Sequence, residues 1–116
     1  MNRGKVWLIN LDPTMCAEIL KTRPAIIVND DAVGVLPLKV IVPITSWKDQ
    51  YAIAPWMVQL EPNTRNGLRK SSAADAFQAR SLSQKRFVRH LGVLSLEKMT
   101  AVTRALARVL HIEGIT

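Results

Sequence analysis

Short runs of β-branched and aromatic residues, each shut off by Pro, Gly, Asn or Asp, fill most of this chain, and one helical stripe closes it. Lys5–Leu11 stops at Asp12-Pro13-Thr14, and Ala25–Val28 stops at Asn29-Asp30-Asp31. Leu38–Ile44 follows Gly34 and Pro37, and Trp56–Leu60 ends at Glu61-Pro62-Asn63, with another tight turn at Asn66-Gly67. Runs of this composition between turn residues are strands, and the continuous apolar ones are strands buried on both faces. Trp7 and Trp56 fall inside two of them and are expected in the core. Ser72–Leu82 is alanine-rich and lacks long aliphatics at helical spacing; its small residues suit close backbone approach, so it reads as one more strand. Leu91–Leu94 is another. Ser95 is a helix N-cap, and Leu96, Met99, Val102, Leu106, Val109 and Leu110 then recur at three- and four-residue steps, with Gly114 placed to end the helix.

A chain of 116 residues with 48% hydrophobic content builds one core, burying about two thirds of the surface exposed when unfolded. The expectation is one domain, residues 1–116, mainly β with a C-terminal α-helix: a small open barrel, or strongly curved sheet, with the helix packed at one side. Cys16 is the single cysteine and has no internal partner for a disulfide. No stretch resembles a signal peptide or reaches the roughly 18 apolar residues of a membrane span, which points to the cytosol and away from membranes.

Sixteen Lys and Arg against nine Asp and Glu give a formal charge of +7, which favours polyanionic partners. Arg65, Arg69, Lys70, Arg80, Lys85, Arg86 and Arg89 lie in one stretch whose only acid is Asp75, a candidate nucleic-acid face. Cys16, His90 and His111 sit at no metal-ligand spacing, and structural roles suit both histidines. His111 is expected in the last helical turn, where a cation complements the helix dipole. No metal or other cofactor is expected. Scattered glycines and the lack of a G-x-S-x-G motif exclude kinase, NTPase and esterase chemistry.

What remains is a set of polar groups at strand ends: Glu18, Lys21, Thr22 and Arg23 before the second strand, Thr45 and Ser46 after the third. Arg23 precedes a proline, which holds it in extended backbone. If those strands are antiparallel neighbours, the start of one lies beside the end of the other, and Arg23 approaches Thr45. A carboxylate, a guanidinium and a hydroxyl together suit phosphodiester chemistry without metal, with the ribose 2′-OH of RNA as nucleophile. Spacing alone equally describes a surface ion pair of Glu18 with Arg23 and a turn residue at Thr45.

These residues form an ordered pattern. Arg3-Gly4-Lys5-Val6-Trp7 leading into Asp12-Pro13-Thr14 resembles the opening of the MazF/PemK family of toxin endoribonucleases. Glu18 with Lys21-Thr22-Arg23-Pro24, then Pro43-Ile44-Thr45-Ser46, Phe77-Gln78-Ala79-Arg80, and finally Arg86 to Gly92 with the last helix are similar to its later segments in the same order. The resemblance implies an SH3-like small barrel, of the type shared with CcdB, and a homodimer that cleaves single-stranded RNA without metal. It implies 2′,3′-cyclic phosphate and 5′-OH ends, and neutralisation by a cognate antitoxin through an acidic, partly disordered segment, with DNA binding by the resulting complex. Arg23, Thr45 and Glu18 would be catalytic, with Arg23 better suited to stabilise charge than to donate a proton. Lys21, Thr22, Ser46, Trp47, Arg69, Gln78, Arg80 and Arg86 would contact RNA. Gln78 and Arg80 either read RNA or buttress the site, and Trp47 and Tyr51 either stack on bases or cover the barrel end or a dimer seam. The chain departs from the family pattern at Cys16-Ala17, where Gly-Ser is common, and at Phe77, where an aspartate is common. Two rival readings are a non-enzymatic gyrase poison of CcdB type and an RNA-binding module without catalysis.

Overall fold

The computed structural model describes residues 1–11, 22–34 and 37–114. Seven antiparallel strands form one sheet: β1 (Lys5–Asn10), β2 (Thr22–Ile27), β3 (Leu38–Ser46), β4 (Met57–Leu60), β5 (Ser72–Asp75), β6 (Arg80–Ser83) and β7 (Phe87–Val93). They run in the order β4-β5-β3-β2-β1-β7, with β6 on β3. The helix α1 spans Leu96–Val109. The fold is therefore mainly β with a C-terminal helix, as the residue pattern indicates.

β3 organises the sheet. One edge pairs with β2 from Ile41 to Pro43; the other is lined first by β6 and then by β5. Moving along β3 from Ile44 to Ile41 corresponds on the other side to moving from Ala74 to Arg80, so the partner is longer and its surplus is looped out. Ser72–Leu82 is thus not one strand. A 3₁₀ turn over Ala76–Gln78 breaks it, capped by Asp75, whose carboxylate accepts from the Phe77 N–H and from Gln78 Nε2 at 2.8 Å. A buried carboxylate satisfied by the turn itself outweighs the local preference for extended backbone.

Two apolar clusters occupy opposite faces of the strands. Val6, Ile26, Val42, Ile44, Leu60 and Ala74 meet Met99, Val102 and Ala105 of α1. Ile9, Ala25, Ile27, Ile41 and Leu82 form the second, flanked by Trp7, Leu11 and Phe87. The alternating contacts of β1 and β2 with the two clusters follow from the two-residue repeat of a strand. Arg3 fastens the start of β1 to α1, donating to the Val28 carbonyl and to Thr103 Oγ1.

Ser95 caps α1 through the Lys98 N–H, as its position predicts. The buried face differs in detail: Met99, Val102, Ala105 and Ala107 face inward, while Leu96 at the first turn is 84% exposed and Leu110 lies beyond the last turn. The helix also ends before Gly114. Leu110 is the C-cap, the N–H groups of His111 and Ile112 bond the carbonyls of Arg108 and Ala107, and His111 takes φ 55°. This is a Schellman closure with histidine in the left-handed position usually given to glycine, so His111 lies just outside the helix.

Trp56 is also not core. β4 begins one residue later, and Trp56 is 39% exposed. Trp7 is half-buried, edge-on to Phe87 and His90.

Candidate functional site

Arg23 occupies the second position of β2, paired with Ile9 of β1. The β2–β3 ladder sets Ala25 opposite Pro43 as its last pair, and the same register carried two residues further sets Arg23 opposite Thr45. Pro43 has no N–H, so the ladder ends there, and β3 continues from Ile44 to Ser46 paired with β5. Arg23 and Thr45 thus flank a fork where β3 exchanges partners, Arg23 exposed and Thr45 half-buried.

Strand alternation also fixes their face. Arg23 shares a side with Ala25 and Ile27, Thr45 with Ile41, and Arg80 with Leu82, all members of the second apolar cluster. Arg80 pairs with Ile41, four residues along β3 from Thr45, or about 13 Å at strand spacing. Arg86 joins this end from the side: its guanidinium donates to the Asn10 carbonyl at 3.4 Å, and Asn10 pairs with Thr22. Ser46 falls on the other face by the same alternation, opposite the buried Ser72. Gln78 donates from Nε2 to Asp75 Oδ2 at 2.8 Å. Glu18 and Lys21 lie outside the described residues.

The basic stretch does not form one continuous face. Arg69, Lys70 and Arg89 line a separate hollow of about 260 Å³ with Leu8, Pro24, Leu68, Leu91 and Ser72. Its wall is a close backbone approach: a Cβ on Gly67 would stand 2.2 Å from the Leu91 carbonyl oxygen. The loop before it is fixed by the buried Asn66, which donates to the Glu61 carbonyl and accepts from the N–H groups of Asn63 and Leu68. Pro24 and its partner Leu8 alternate with Arg23 and Ile9 along their strands, so this hollow lies at the same end of the sheet as the fork but on the opposite face. Lys70 and Arg89 belong to the charge cluster read from sequence, but only the packing of Gly67 against β7 shows that they converge.

Trp47 is half-buried, its N–H bonded to the Ser71 carbonyl, and it meets Tyr51 edge-on at 5.8 Å. Among the described residues, no three His, Cys, Asp or Glu side chains are grouped to hold a metal ion, and no helix is long and apolar enough to cross a membrane.

Chemically, the fork presents a permanent cation and a hydroxyl on one face with Arg80 further along it, an arrangement suited to an anionic tetrahedral or pentacoordinate phosphorus centre. The hollow on the other face of that end gathers three more cations.

The chain is similar throughout to known toxins. It is 30% identical over 119 residues to endoribonuclease MazF9 of Mycobacterium tuberculosis, an alignment covering 97% of each. It is 36% identical over 86 residues to endoribonuclease PemK of Escherichia coli, covering 73% of this chain and 62% of that protein. A mycobacterial endoribonuclease solved with its cognate antitoxin superposes with a TM-score of 0.79 at 20% identity, covering 98% of both chains. MazF of Deinococcus radiodurans superposes with a TM-score of 0.75 at 25% identity, covering 97% of both. Residues 2–110 match the family described as PemK-like, MazF-like toxins of type II toxin–antitoxin systems, and to that family this chain belongs.

Proposed function

We propose that this toxin is an endoribonuclease that cuts single-stranded RNA without a metal ion, by attack of a ribose 2′-OH on the adjacent phosphorus. The 5′-oxygen leaves, giving a 2′,3′-cyclic phosphate and a 5′-OH end. Arg23 neutralises charge on the phosphoryl oxygens as it accumulates, and Thr45 donates a hydrogen bond to the same group. Glu18 takes the proton from the 2′-OH. Lys21, Thr22, Trp47, Gln78, Arg80 and Arg86 contact the strand near the cut, and Ser46 and Arg69, with Lys70 and Arg89, hold it further along, on the other face. The active species is a homodimer, and an antitoxin with an acidic, partly disordered segment blocks it, acting in the cytoplasm.

The single observation that supports this reading is the β2–β3 register, which, continued two residues past its last pair, brings Arg23 and Thr45 to the same fork in the sheet, on the face that also carries Arg80. The naming of MazF9 and PemK as endoribonucleases agrees with it.

The test is incubation of the purified protein with a long unstructured RNA in excess EDTA. Discrete fragments with 5′-OH and cyclic phosphate ends are expected. Retention of RNA without cutting would instead identify a binding module, and intact RNA with inhibited gyrase a poison of the CcdB kind.

A further inference from the structure

The cationic hollow at the fork's end of the sheet is built on a row that crosses three strands. Arg89 of β7 pairs with Leu8 of β1, and Leu8 pairs with Pro24 of β2, so all three share one face. Leu91 stands two residues along β7 on the same side, and Leu68 closes the hollow from the loop that carries the exposed Arg69 and Lys70. The next row, Ile9 with Arg23, belongs to the fork and faces the other way.

Two properties mark the hollow as a polyanion site. Among the described residues, none of Arg69, Lys70 and Arg89 has a carboxylate partner, so three like charges are gathered against their mutual repulsion, which a bound anion relieves. The backbone that gathers them is also fixed. Gly67 and Gly92 let the loop touch β7, the buried Asn66 ties it to the Glu61 carbonyl, and Ser72 Oγ donates to the Lys70 carbonyl at 2.8 Å. The floor offers contact area without base readout, because Leu8, Pro24, Leu68 and Leu91 are apolar and the Ser72 hydroxyl has spent its proton. Such a hollow holds phosphates and covers a sugar or base, whichever base it is.

An acidic peptide would satisfy the same charges, but position favours nucleic acid. The row of the hollow and the row of the fork are neighbours along β1 and β2, so a strand leaving the fork meets the hollow by turning round the end of the sheet. A single strand follows such a turn, whereas a duplex, with a persistence length of about 150 base pairs, does not.

We propose that the hollow of Arg69, Lys70 and Arg89 is an exosite that grips the backbone of RNA flanking the cut, whatever its sequence, once a single strand has turned round the sheet end. This rests on the ribonuclease reading and deepens it: the fork carries the reaction, while the hollow adds binding shared equally by substrate and transition state, which lowers KM and leaves kcat alone.

The experiment takes a short RNA centred on one cut site mapped in the EDTA assay and extends it on its 5′ or its 3′ side with a run of deoxythymidines. One of the two extensions should lower KM about tenfold with kcat unchanged. The double variant Arg69→Gln/Arg89→Gln should lose that gain. Arg69→Lys/Arg89→Lys, which keeps the charges, should recover most of it, with circular dichroism unchanged for both. Pairing the extension with a complementary strand should abolish the gain as well. No gain from either extension, a gain that survives the glutamine variant, or an equal gain from a paired extension overturns the proposal. So does a peptide of Glu and Asp that binds tighter than the deoxythymidine run and is lost in the glutamine variant, which assigns the hollow to an acidic protein segment. If the chain cuts no RNA, the ribonuclease reading falls on its own test. Fluorescence polarisation of a labelled deoxythymidine strand then decides the hollow separately: the glutamine variant should bind it about tenfold more weakly, and equal binding overturns the exosite.

Discussion

Gly92 of β7 lies so close to Arg65 that a methyl group on its Cα would stand 2.1 Å from the Arg65 carbonyl oxygen. One residue on, the Val93 N–H bonds that same oxygen at 2.9 Å. The basic loop and the edge strand are thereby joined backbone to backbone, bringing Arg69 and Lys70 against Arg89.

Gly92→Ala should therefore be among the most damaging small substitutions. The opposing atoms are main chain and cannot swing aside, so the loop must shift, at a cost of about 3 kcal/mol. Thermal unfolding should show it as a large drop in Tm, and a variant melting within a degree of wild type would disprove the close approach.

Arg23→Ala removes an exposed side chain at a strand entrance, so stability should hold to within about 0.5 kcal/mol. Loss of a preorganised cation from the reacting phosphate should lower the cleavage rate by about 100-fold or more. Thr45→Ala should fall in the same direction, and Thr45→Ser should recover much of the difference by restoring the hydroxyl. Single-turnover cleavage with Arg23→Ala at near wild-type rate would remove the guanidinium from the mechanism.

The hollow lined by Arg69, Lys70 and Arg89 predicts a salt signature. If each cation displaces one counterion from a single strand, replacing it with alanine should lower the slope of log affinity against log salt by about 0.7. A non-cleavable oligonucleotide with deoxyribose at the cut site makes the measurement possible. Slopes unchanged in all three variants would place the strand elsewhere.

His111 holds a left-handed conformation that costs a residue with a side chain about 1–2 kcal/mol. Glycine there should stabilise the fold by about 0.5–1 kcal/mol after the greater freedom it gives the unfolded chain. Denaturant unfolding of His111→Gly measures this directly; a loss of stability would mean that the exposed pairing with Glu113 outweighs the backbone strain.

What could be read from residues alone was whatever depends on local pattern or on the simplest topology. Lys5–Asn10 and Leu38–Ser46 alternate or run apolar between turn residues, and Ser95 precedes its helix by the ordinary capping rule. That Arg23 and Thr45 lie at the same fork needs only that consecutive strands pair antiparallel. The interruption after Asp75 was hidden because it turns on one side chain bonding Gln78 three residues on, while the alanines around it suit a strand equally well. Trp56 misled because its composition is that of a core residue, whereas its position just before β4 leaves the ring outside the ladder. The convergence of Arg69 with Arg89 was invisible because it depends on two glycines distant in sequence that allow backbones to touch.

The surplus residues between Asp75 and Arg80 are absorbed wholly within one turn, without disturbing the pairing of β3 on either side. Whatever that corner carries, the line-up of β3 with β2, and with it the setting of Arg23 and Thr45, is left alone.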